Sequence, residues 1–355
     1  GLIIEKFATV AQRGAIMARE YQYKGKGMRY WTVEQNEIRW NHGLGVDSGT
    51  YSVLRDNFIH HNGQLGAKVG GYSLMQGNEF AANGGVDYLP AWSAGAFKVV
   101  ANHYTLIQGN YVHDNIGHGL WVDIENYDVV LEDNVSSDND GDGFKYEISH
   151  DGVIRRNTGL GNYHHDGNSW MWGSFVLVQN SEGCEVYDNQ VEVGPEGNGI
   201  NVIDQDREWN DVPKFGVGNT IHRNWIMHTE GYGRNGYQNP DNTFDLNVYV
   251  VPDRYNDYFG MPWHDFFGAG YEAQGDLFVR DPMPEALIGA PTVAWGGPGD
   301  GATVECVDEV TLSVTAEAAS GDAITRVAFI VDAQQVAQTS DWPYAVSWIG
   351  PAPGE

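Results

Sequence analysis

Pairs of asparagines recur along the first half of this sequence, and their spacing limits the folds that the chain can adopt. In six consecutive repeats two asparagines stand five residues apart, most of them three positions after an apolar residue. The pairs are Asn36/Asn41, Asn57/Asn62, Asn78/Asn83, Asn110/Asn115, Asn134/Asn139 and Asn157/Asn162, with weaker copies around Asn189 and Asn224. The repeat length is 21 to 24 residues, and two repeats reach 32 where segments 84–95 and 163–173 are inserted.

A repeat of this length, with three short apolar strands and no helical periodicity before residue 260, predicts a parallel β-helix. One coil cannot enclose a core alone, but coils stacked about 4.8 Å apart share a continuous one. Asparagine tolerates the left-handed backbone of a tight turn, and its amide can bond to the same residue one coil away. The asparagine columns are therefore interpreted as structural ladders and not as catalytic groups.

The repeat resembles the right-handed parallel β-helix proteins, a superfamily that includes pectate lyases, alginate lyases and polygalacturonases. The resemblance covers residues 1–250 and implies a carbohydrate-active enzyme, although the fold also hosts epimerases and adhesins. Residues 251–284, rich in Phe, Tyr, Trp and Pro, are expected to cap the last coil and lead into a linker. Residues 285–355 alternate with period two and, in V-T-L-S-V-T-A, R-V-A-F-I-V-D and W-P-Y-A-V-S-W, resemble a bacterial Ig-like module. The expected fold is all-β, a right-handed parallel β-helix followed by a small Ig-like β-sandwich.

Net charge and composition limit the kinds of partner that the protein can bind. The formal net charge of −28 argues against nucleic acid, which needs a basic face. No apolar run is long enough to cross a membrane. The two cysteines, Cys184 and Cys306, fall in different predicted domains, so no disulfide is expected. We expect a secreted or cell-surface bacterial protein, a monomer without membrane insertion, with residues preceding Gly1 and an Ig-like copy incomplete at its end.

The strands that follow a glycine share one register in the predicted helix. G-L-W-V-D at 119–123 returns as G-F-K-Y-E at 143–147, and the other coils are aligned on the same glycine. Because alternate residues of a strand face opposite sides, this alignment predicts two inward columns. They contain Leu44, Phe97, Leu120, Phe144, Phe175 and Ile200, and then Val46, Val99, Val122, Tyr146, Leu177 and Val202.

The residues between these positions face outward and form the candidate site. The first outward column is predicted to hold Lys98, Trp121, Lys145, Val176 and Asn201, and the second Asp47, Lys68, Val100, Asp123, Glu147, Val178 and Ile203. Lys98, Asp123, Lys145 and Glu147 then share one patch and are the candidate catalytic residues. A surface ion-pair ladder, with about 0–1 kcal/mol for each pair, would explain the same charges without any function.

The two insertions are predicted to wall a groove beside this patch. They carry Asp87, Trp92, His164, His165, Trp170 and Trp172, and exposed tryptophan is suited to stacking on sugar rings. The next strand exit, D-Q-D-R-E-W at 204–209, adds further polar groups. The candidate substrate-binding residues are Trp92, Trp121, His150, Arg155, Trp170, Trp172, Gln205 and Arg207.

Three functions are compatible with this patch. A polysaccharide lyase acting on a uronic-acid polymer is placed first, with Lys98 or Lys145 as base, His150 or Arg155 assisting, and Ca²⁺ on Asp123 and Glu147. Neighbouring carboxylates would raise the pKa of a lysine, which counts against it as a base unless calcium occupies them. The second is a glycoside hydrolase using Asp123 and Glu147 as paired carboxylates. The third is a non-catalytic glycan-binding or adhesin solenoid. The N-T-D, D-P-H-D and R-x-P-R motifs of characterised superfamily members are missing.

Overall fold

The protein is described by a computed structural model. It describes residues 1–18, 28–86, 88–163, 171–195, 197–229, 234–237, 239–252, 267, 270–279, 292–297, 310–317, 327–331, 334–339 and 345–348. The chain divides into two compact units, Gly1–Pro282 and Met283–Glu355.

The first unit is a parallel β-helix of three sheets, in which neighbouring strands of a sheet come from successive coils. Sheet 1 contains Ile3–Glu5, Glu37–Arg39, Phe58–His60, Glu79–Ala81, Tyr111–His113, Val135–Ser137, Thr158–Leu160, Gln190–Val193, Trp225–His228, Val248–Val251 and Asp276–Val279. Sheet 2 contains Gly14–Met17, Leu44–Asp47, Leu65–Lys68, Gly95–Val99, His118–Asp123, Phe144–Glu147, Ser174–Gln179, Asn198–Ile203 and Gly236–Tyr237. Sheet 3 contains Thr32–Glu34, Val53–Arg55, Leu74–Gln76, Leu106–Gln108, Val130–Glu132, Val153–Arg155, Glu185–Tyr187, Thr220–His222 and Thr243–Asp245.

Two short elements interrupt the coils beside sheet 2. A four-residue helix, Pro90–Ser93, lies within the first insertion. An antiparallel hairpin pairs Arg207–Trp209 with Val212–Lys214. Among the described residues, no helix has the length and apolar character needed to cross a bilayer. Cys184 is buried and free, and Cys306 lies outside the described residues.

The second unit is antiparallel. One sheet contains Thr292–Gly297, Val310–Glu317 and Ala345–Trp348, and a second pairs Val327–Val331 with Gln334–Thr339. Together with the coils, these strands confirm the expected all-β class, a parallel β-helix followed by a small β module.

The asparagine ladders hold the coils in register. The Asn110 amide donates to Asn134 Oδ1 at 2.9 Å, and Asn134 donates in turn to Asn157 Oδ1 at 3.0 Å. A second ladder behaves alike, with Asn115 donating to Asn139 Oδ1 at 2.8 Å. Because each oxygen also accepts a backbone N–H of the preceding coil, these buried amides satisfy main-chain groups that the turns leave open. The structural interpretation of the asparagine columns is confirmed.

The first ladder continues beyond the predicted repeats and ends on a carboxyl group. It runs through Asn189 and Asn224 to Asn247, whose side chain donates to Glu272 Oε1 at 2.6 Å. Tyr249 donates to the same oxygen at 2.7 Å. Burial raises the pKa of Glu272 to about 7. Glu272 therefore closes the ladder at the last coil, within a cap region of which the structure describes only residues 251–252, 267 and 270–279.

The predicted register is wrong before the first insertion by two residues. Val46, and not Leu44, belongs to the inward column of Phe97, to which it is linked through the strand between them. Asp47 and Lys68 move with it into the first outward column, away from the second. The segment 43–47, G-L-G-V-D, contains two glycines, and the alignment used Gly43, whereas Gly45 occupies the strand position of Gly119.

In the coil directly after the second insertion the register is also wrong, by one residue, whereas Ile200 and Val202 of the following coil lie in their predicted columns. The observed pairs are Phe144↔Val176, Lys145↔Leu177, Tyr146↔Val178 and Glu147↔Gln179. Val176 and Val178 therefore point into the core, where they were expected to face outward. Leu177 takes the outward place beside Lys145, and Gln179 the place beside Glu147. In the coils between the insertions the predicted inward residues do line the core, as Leu120, Val122, Phe144 and Tyr146 illustrate.

Candidate active site

The middle coils of sheet 2 present their charged side chains to a cavity of about 350 Å³. Trp121 pairs with Lys145, and Asp123 with Glu147, across the parallel strands His118–Asp123 and Phe144–Glu147. All four side chains line the cavity although each is at least nine-tenths buried. Their burial follows from the walls around them, because the outer face of a solenoid sheet is otherwise open to solvent.

Lys98 lies beneath this cavity and is sealed from it. Its ammonium is 2.8 Å from Asp123 Oδ2, donates to the carbonyl oxygen of Trp92 at 2.6 Å, and stands 3.4 Å from the centre of the Trp121 ring. Burial lowers the pKa of Lys98, while the nearby Asp123 carboxylate opposes this change. Lys98 is not among the residues that line the cavity, so its ammonium faces Asp123 and not a bound molecule.

Glu147 is the most heavily bonded carboxylate of the site. Its Oε2 accepts from Trp121 Nε1 at 3.1 Å and lies 3.2 Å from Lys145 Nζ, and its Oε1 lies 3.0 Å from Arg207. Burial would raise the pKa of Glu147, but Lys145 and Arg207 together hold it below its usual value. Asp123 behaves oppositely, because burial raises its pKa despite Lys98. One carboxylate of the pair is thus kept ionised while the other retains a proton more readily.

Three walls enclose the cavity. Pro90 and Ala91 come from the helix of the first insertion, Trp172 from the second insertion, and Gln205 and Arg207 from the hairpin segment. The Lys145 ammonium stands 5.5 Å from the centre of the Trp172 ring, which gives the cavity an aromatic side.

Several contacts fix the hairpin segment that supplies Arg207 to the coils. Asn180 donates to the carbonyl oxygen of Gln205 at 2.6 Å, and Lys214 pairs with Glu125 at 2.6 Å.

One predicted wall residue does not place its side chain in the cavity, and four others lie outside the described residues. Trp92 contributes its carbonyl oxygen only, and its side chain is half exposed. Trp170, Asp87, His164 and His165 lie outside the described residues.

His150 and Arg155 do not lie at the site, so the prediction that they assist the reaction is wrong. The chain turns the corner into sheet 3 after Glu147, so both residues leave the outward face of sheet 2. His150 stacks on Tyr127 with 5.4 Å between ring centres. Arg155 bonds to Glu132 and Tyr187 on sheet 3, at 2.8 Å each.

His118 and Asp142 belong to the cavity region and were missed from the sequence. Asp142 lies just before the strand Phe144–Glu147, one coil away from His118, and its backbone N–H donates to His118 Nδ1 at 3.0 Å. The imidazole lines the cavity and meets the Trp121 ring edge-on at 4.7 Å. Burial lowers the pKa of His118, so the ring is neutral at pH 7. A signal was present in the sequence, since the two residues are separated by the same 24 positions as Asp123 and Glu147.

The donor set does not suit the calcium ion that was expected on Asp123 and Glu147. Calcium takes six to eight oxygen ligands. Here the two carboxylates are bonded to Lys98, Lys145 and Arg207, whose cations stand where a metal would bind. Among the described residues, no group of three His, Cys, Asp or Glu side chains is arranged to hold a metal ion.

Comparison with known proteins supports the fold of both units. Residues 22–164 match the family described as right handed beta helix region, and residues 291–355 match the bacterial Ig domain family. No curated protein matches the chain. A solved complex of XylC with xylose is similar with a TM-score of 0.53 and 14% sequence identity, over 87% of this chain and 52% of that chain. At this identity the likeness concerns the fold alone, and the present chain spans about half the length of that protein.

Proposed function

We propose that the protein is a carbohydrate-active enzyme that hydrolyses a glycosidic bond with Asp123 and Glu147. The observation that carries this proposal is that two buried carboxylates line one cavity with unequal partners, Asp123 facing Lys98 and Glu147 facing both Lys145 and Arg207. A pair of acids whose environments separate their pKa values is what general acid and base roles require. Asp123, whose pKa is raised, is assigned as the proton donor to the leaving oxygen, and Glu147, held ionised, as the nucleophile or base.

The surroundings of the pair support a sugar as the bound molecule. Trp172 gives the cavity an aromatic surface, on which the C–H groups of a pyranose ring can pack. Gln179 and Gln205 add amide groups that can bond to hydroxyls. The solved β-helix protein with the similar fold is itself a complex with xylose, which agrees with a carbohydrate ligand here. An extracellular polysaccharide remains the proposed source of the substrate.

The strand positions of the two carboxylates favour one form of this chemistry. Asp123 and Glu147 are direct register partners on neighbouring parallel strands, whose backbones lie about 4.8 Å apart. Retaining glycosidases hold their two carboxyl groups about 5–5.5 Å apart, whereas inverting enzymes need a wider gap for water. The proposal is therefore hydrolysis with retention of the anomeric configuration.

A polysaccharide lyase is the second candidate. Lys145 and Arg207 line the cavity, and their cations could neutralise the carboxylate of a uronic acid before β-elimination. The base is the weak point, because Lys98 is sealed beneath Trp121 and bonded to Asp123. We therefore place hydrolysis ahead of elimination.

The experiment compares Glu147→Gln with Glu132→Gln on a panel of aryl glycosides and of neutral and uronic polysaccharides. Glu132 is a matched control, a buried glutamate paired with Arg155 and Arg156 on sheet 3. The wild type and the control should release reducing ends, and Glu147→Gln should lose about a thousandfold or more in rate.

The products separate the alternatives. An unsaturated product absorbing in the near ultraviolet would replace hydrolysis by the lyase reaction. Binding without any cleavage, across the whole panel, would contradict the enzyme proposal and favour a glycan-binding solenoid.

A further inference from the structure

One ring nitrogen of His118 is hydrogen-bonded within the protein, and the other has no hydrogen-bond partner among the described residues. Nδ1 accepts the backbone N–H of Asp142 at 3.0 Å. A proton on Nδ1 would point at that N–H, so the neutral ring carries its proton on Nε2. No described residue bonds to Nε2, while the imidazole lines the cavity that holds Asp123 and Glu147. A single N–H donor is therefore presented to whatever occupies the cavity.

The Asp142 side chain fixes the ring from behind. It is 1% exposed, and its Oδ1 accepts the N–H of Ser174 at 2.9 Å. Its Oδ2 lies 3.2 Å from His118 Nδ1 but has no hydrogen-bond partner. The contact thus lacks the geometry of a histidine that donates from Nδ1 to a carboxylate, as a general base in a catalytic dyad does.

We propose that His118 is a substrate-binding residue that donates Nε2–H to a sugar hydroxyl oxygen, with its ring positioned by Asp142. The proposal rests on the sugar-binding cavity of the proposed function and adds a specificity-determining contact to it. A neutral donor suits a hydroxyl, which needs one hydrogen bond and no counter-charge. The neighbouring charged groups, Lys145 and Glu147, already pair with each other, so His118 supplies an uncharged polar contact to the cavity.

Two variants separate a donor from a base. His118→Phe keeps an aromatic ring against Trp121 and removes Nε2–H. In Asp142→Asn an amide replaces the unpartnered Oδ2 and can donate to Nδ1, so the Nε2–H tautomer is preserved. A donor role predicts that only the first substitution weakens binding, whereas a base role predicts that Asp142→Asn is the more damaging change.

The test uses D-xylose as probe, titrated calorimetrically into the Glu147→Gln protein so that turnover does not interfere. His118→Phe in this background should weaken xylose binding by about five- to tenfold, the worth of one neutral hydrogen bond, and Asp142→Asn by less than about threefold. Nitrogen-15 NMR of the labelled wild type should show Nε2 protonated and Nδ1 unprotonated, a measurement that needs neither the variants nor activity.

A proton on Nδ1, unchanged xylose binding in His118→Phe, or loss of binding in Asp142→Asn would each overturn the inference. These outcomes differ from failure of the proposed function. In that case the wild type would cleave nothing, while xylose binding would still depend on His118. A wild-type protein that does not bind xylose at all would also overturn the inference.

Discussion

The Lys98–Asp123 pair allows the buried electrostatics of the site to be tested separately from its chemistry. Their side chains are only 9% and 6% exposed, and 2.8 Å separates Lys98 Nζ from Asp123 Oδ2. Lys98→Met would leave the Asp123 carboxylate buried without its cation. Removing one partner of a buried ion pair costs about 3–5 kcal/mol, so we expect a loss of that size in the free energy of unfolding at pH 7.

The matched control is an exposed pair on the same solenoid. Arg223 and Asp188 lie 2.8 Å apart with side-chain exposures of 49% and 40%. Solvent screens this pair, and Arg223→Met should therefore cost less than about 1 kcal/mol. Both variants are measured by urea unfolding followed by tryptophan fluorescence, with the slope m checked for a change in the unfolded state.

The stability loss of Lys98→Met should depend on pH in a defined direction. Burial already raises the pKa of Asp123, and loss of Lys98 should raise it further. The folded variant then holds a proton that the unfolded chain has released, so its stability falls as pH rises. The deficit of Lys98→Met relative to wild type should be smaller at pH 5 than at pH 7.5. Equal losses of unfolding free energy in Lys98→Met and Arg223→Met would contradict the stabilising role of the buried Lys98–Asp123 pair. A stability deficit of Lys98→Met that grows on acidification would contradict it as well.

Three further outcomes are expected. Asn134→Ala removes a buried amide that bonds to Ile107 O and to the asparagines of both neighbouring coils. Urea unfolding should show a loss of about 3–5 kcal/mol in the free energy of unfolding, whereas the control Glu185→Ala, at an exposed position, should lose less than about 0.5 kcal/mol. Because the pKa of Glu272 is raised to about 7, the folded state holds its proton while the unfolded chain releases it above about 4.5. Stability should then fall by about 2–3 kcal/mol between pH 4.5 and 7, and Glu272→Gln should remove this slope; a slope that Glu272→Gln leaves unchanged would contradict the assignment. A calcium chelator should leave both the melting temperature and the rate of cleavage unchanged. A fall in either quantity would show that calcium is bound and would contradict the interpretation of the donor set.

Much of the fold could be predicted because a solenoid repeats its own constraints. Each coil must satisfy the same turn and the same core, so Asn110 and Asn134 recur at one position and identify the period. The inward and outward alternation of G-L-W-V-D and G-F-K-Y-E follows from the strand alone, and it placed Trp121, Asp123, Lys145 and Glu147 together.

The predicted register failed where the glycine used for alignment did not occupy the strand position of Gly119 and Gly143. After the second insertion, the position of Gly119 and Gly143 is taken by Phe175, which packs on Phe144 with 5.0 Å between ring centres. Room for this ring comes from Gly159 on sheet 1, where any Cβ would collide with it. Alignment on the strand-leading glycine could not reveal this exchange, because it couples residues of two different sheets.

The sequence predicted only part of the site, for a related reason. Burial of Lys98 depends on the carbonyl of Trp92 and on the Trp121 ring, and neither contact follows from strand spacing. His150 and Arg155 were assigned to the patch because they follow Glu147 closely, but the corner into sheet 3 carries them away.

The stereochemistry of cleavage tests the paired-carboxylate proposal most directly. Proton NMR of the anomeric signals is recorded while the wild type acts on the fastest aryl glycoside of the panel, with Glu147→Gln as the blank. Since Asp123 and Glu147 are register partners on strands whose backbones lie about 4.8 Å apart, which favours the narrow carboxyl separation of a retaining enzyme, the first product should keep the anomeric configuration of the substrate. An inverted first product, an unsaturated uronate, or equal turnover by Glu147→Gln would contradict it.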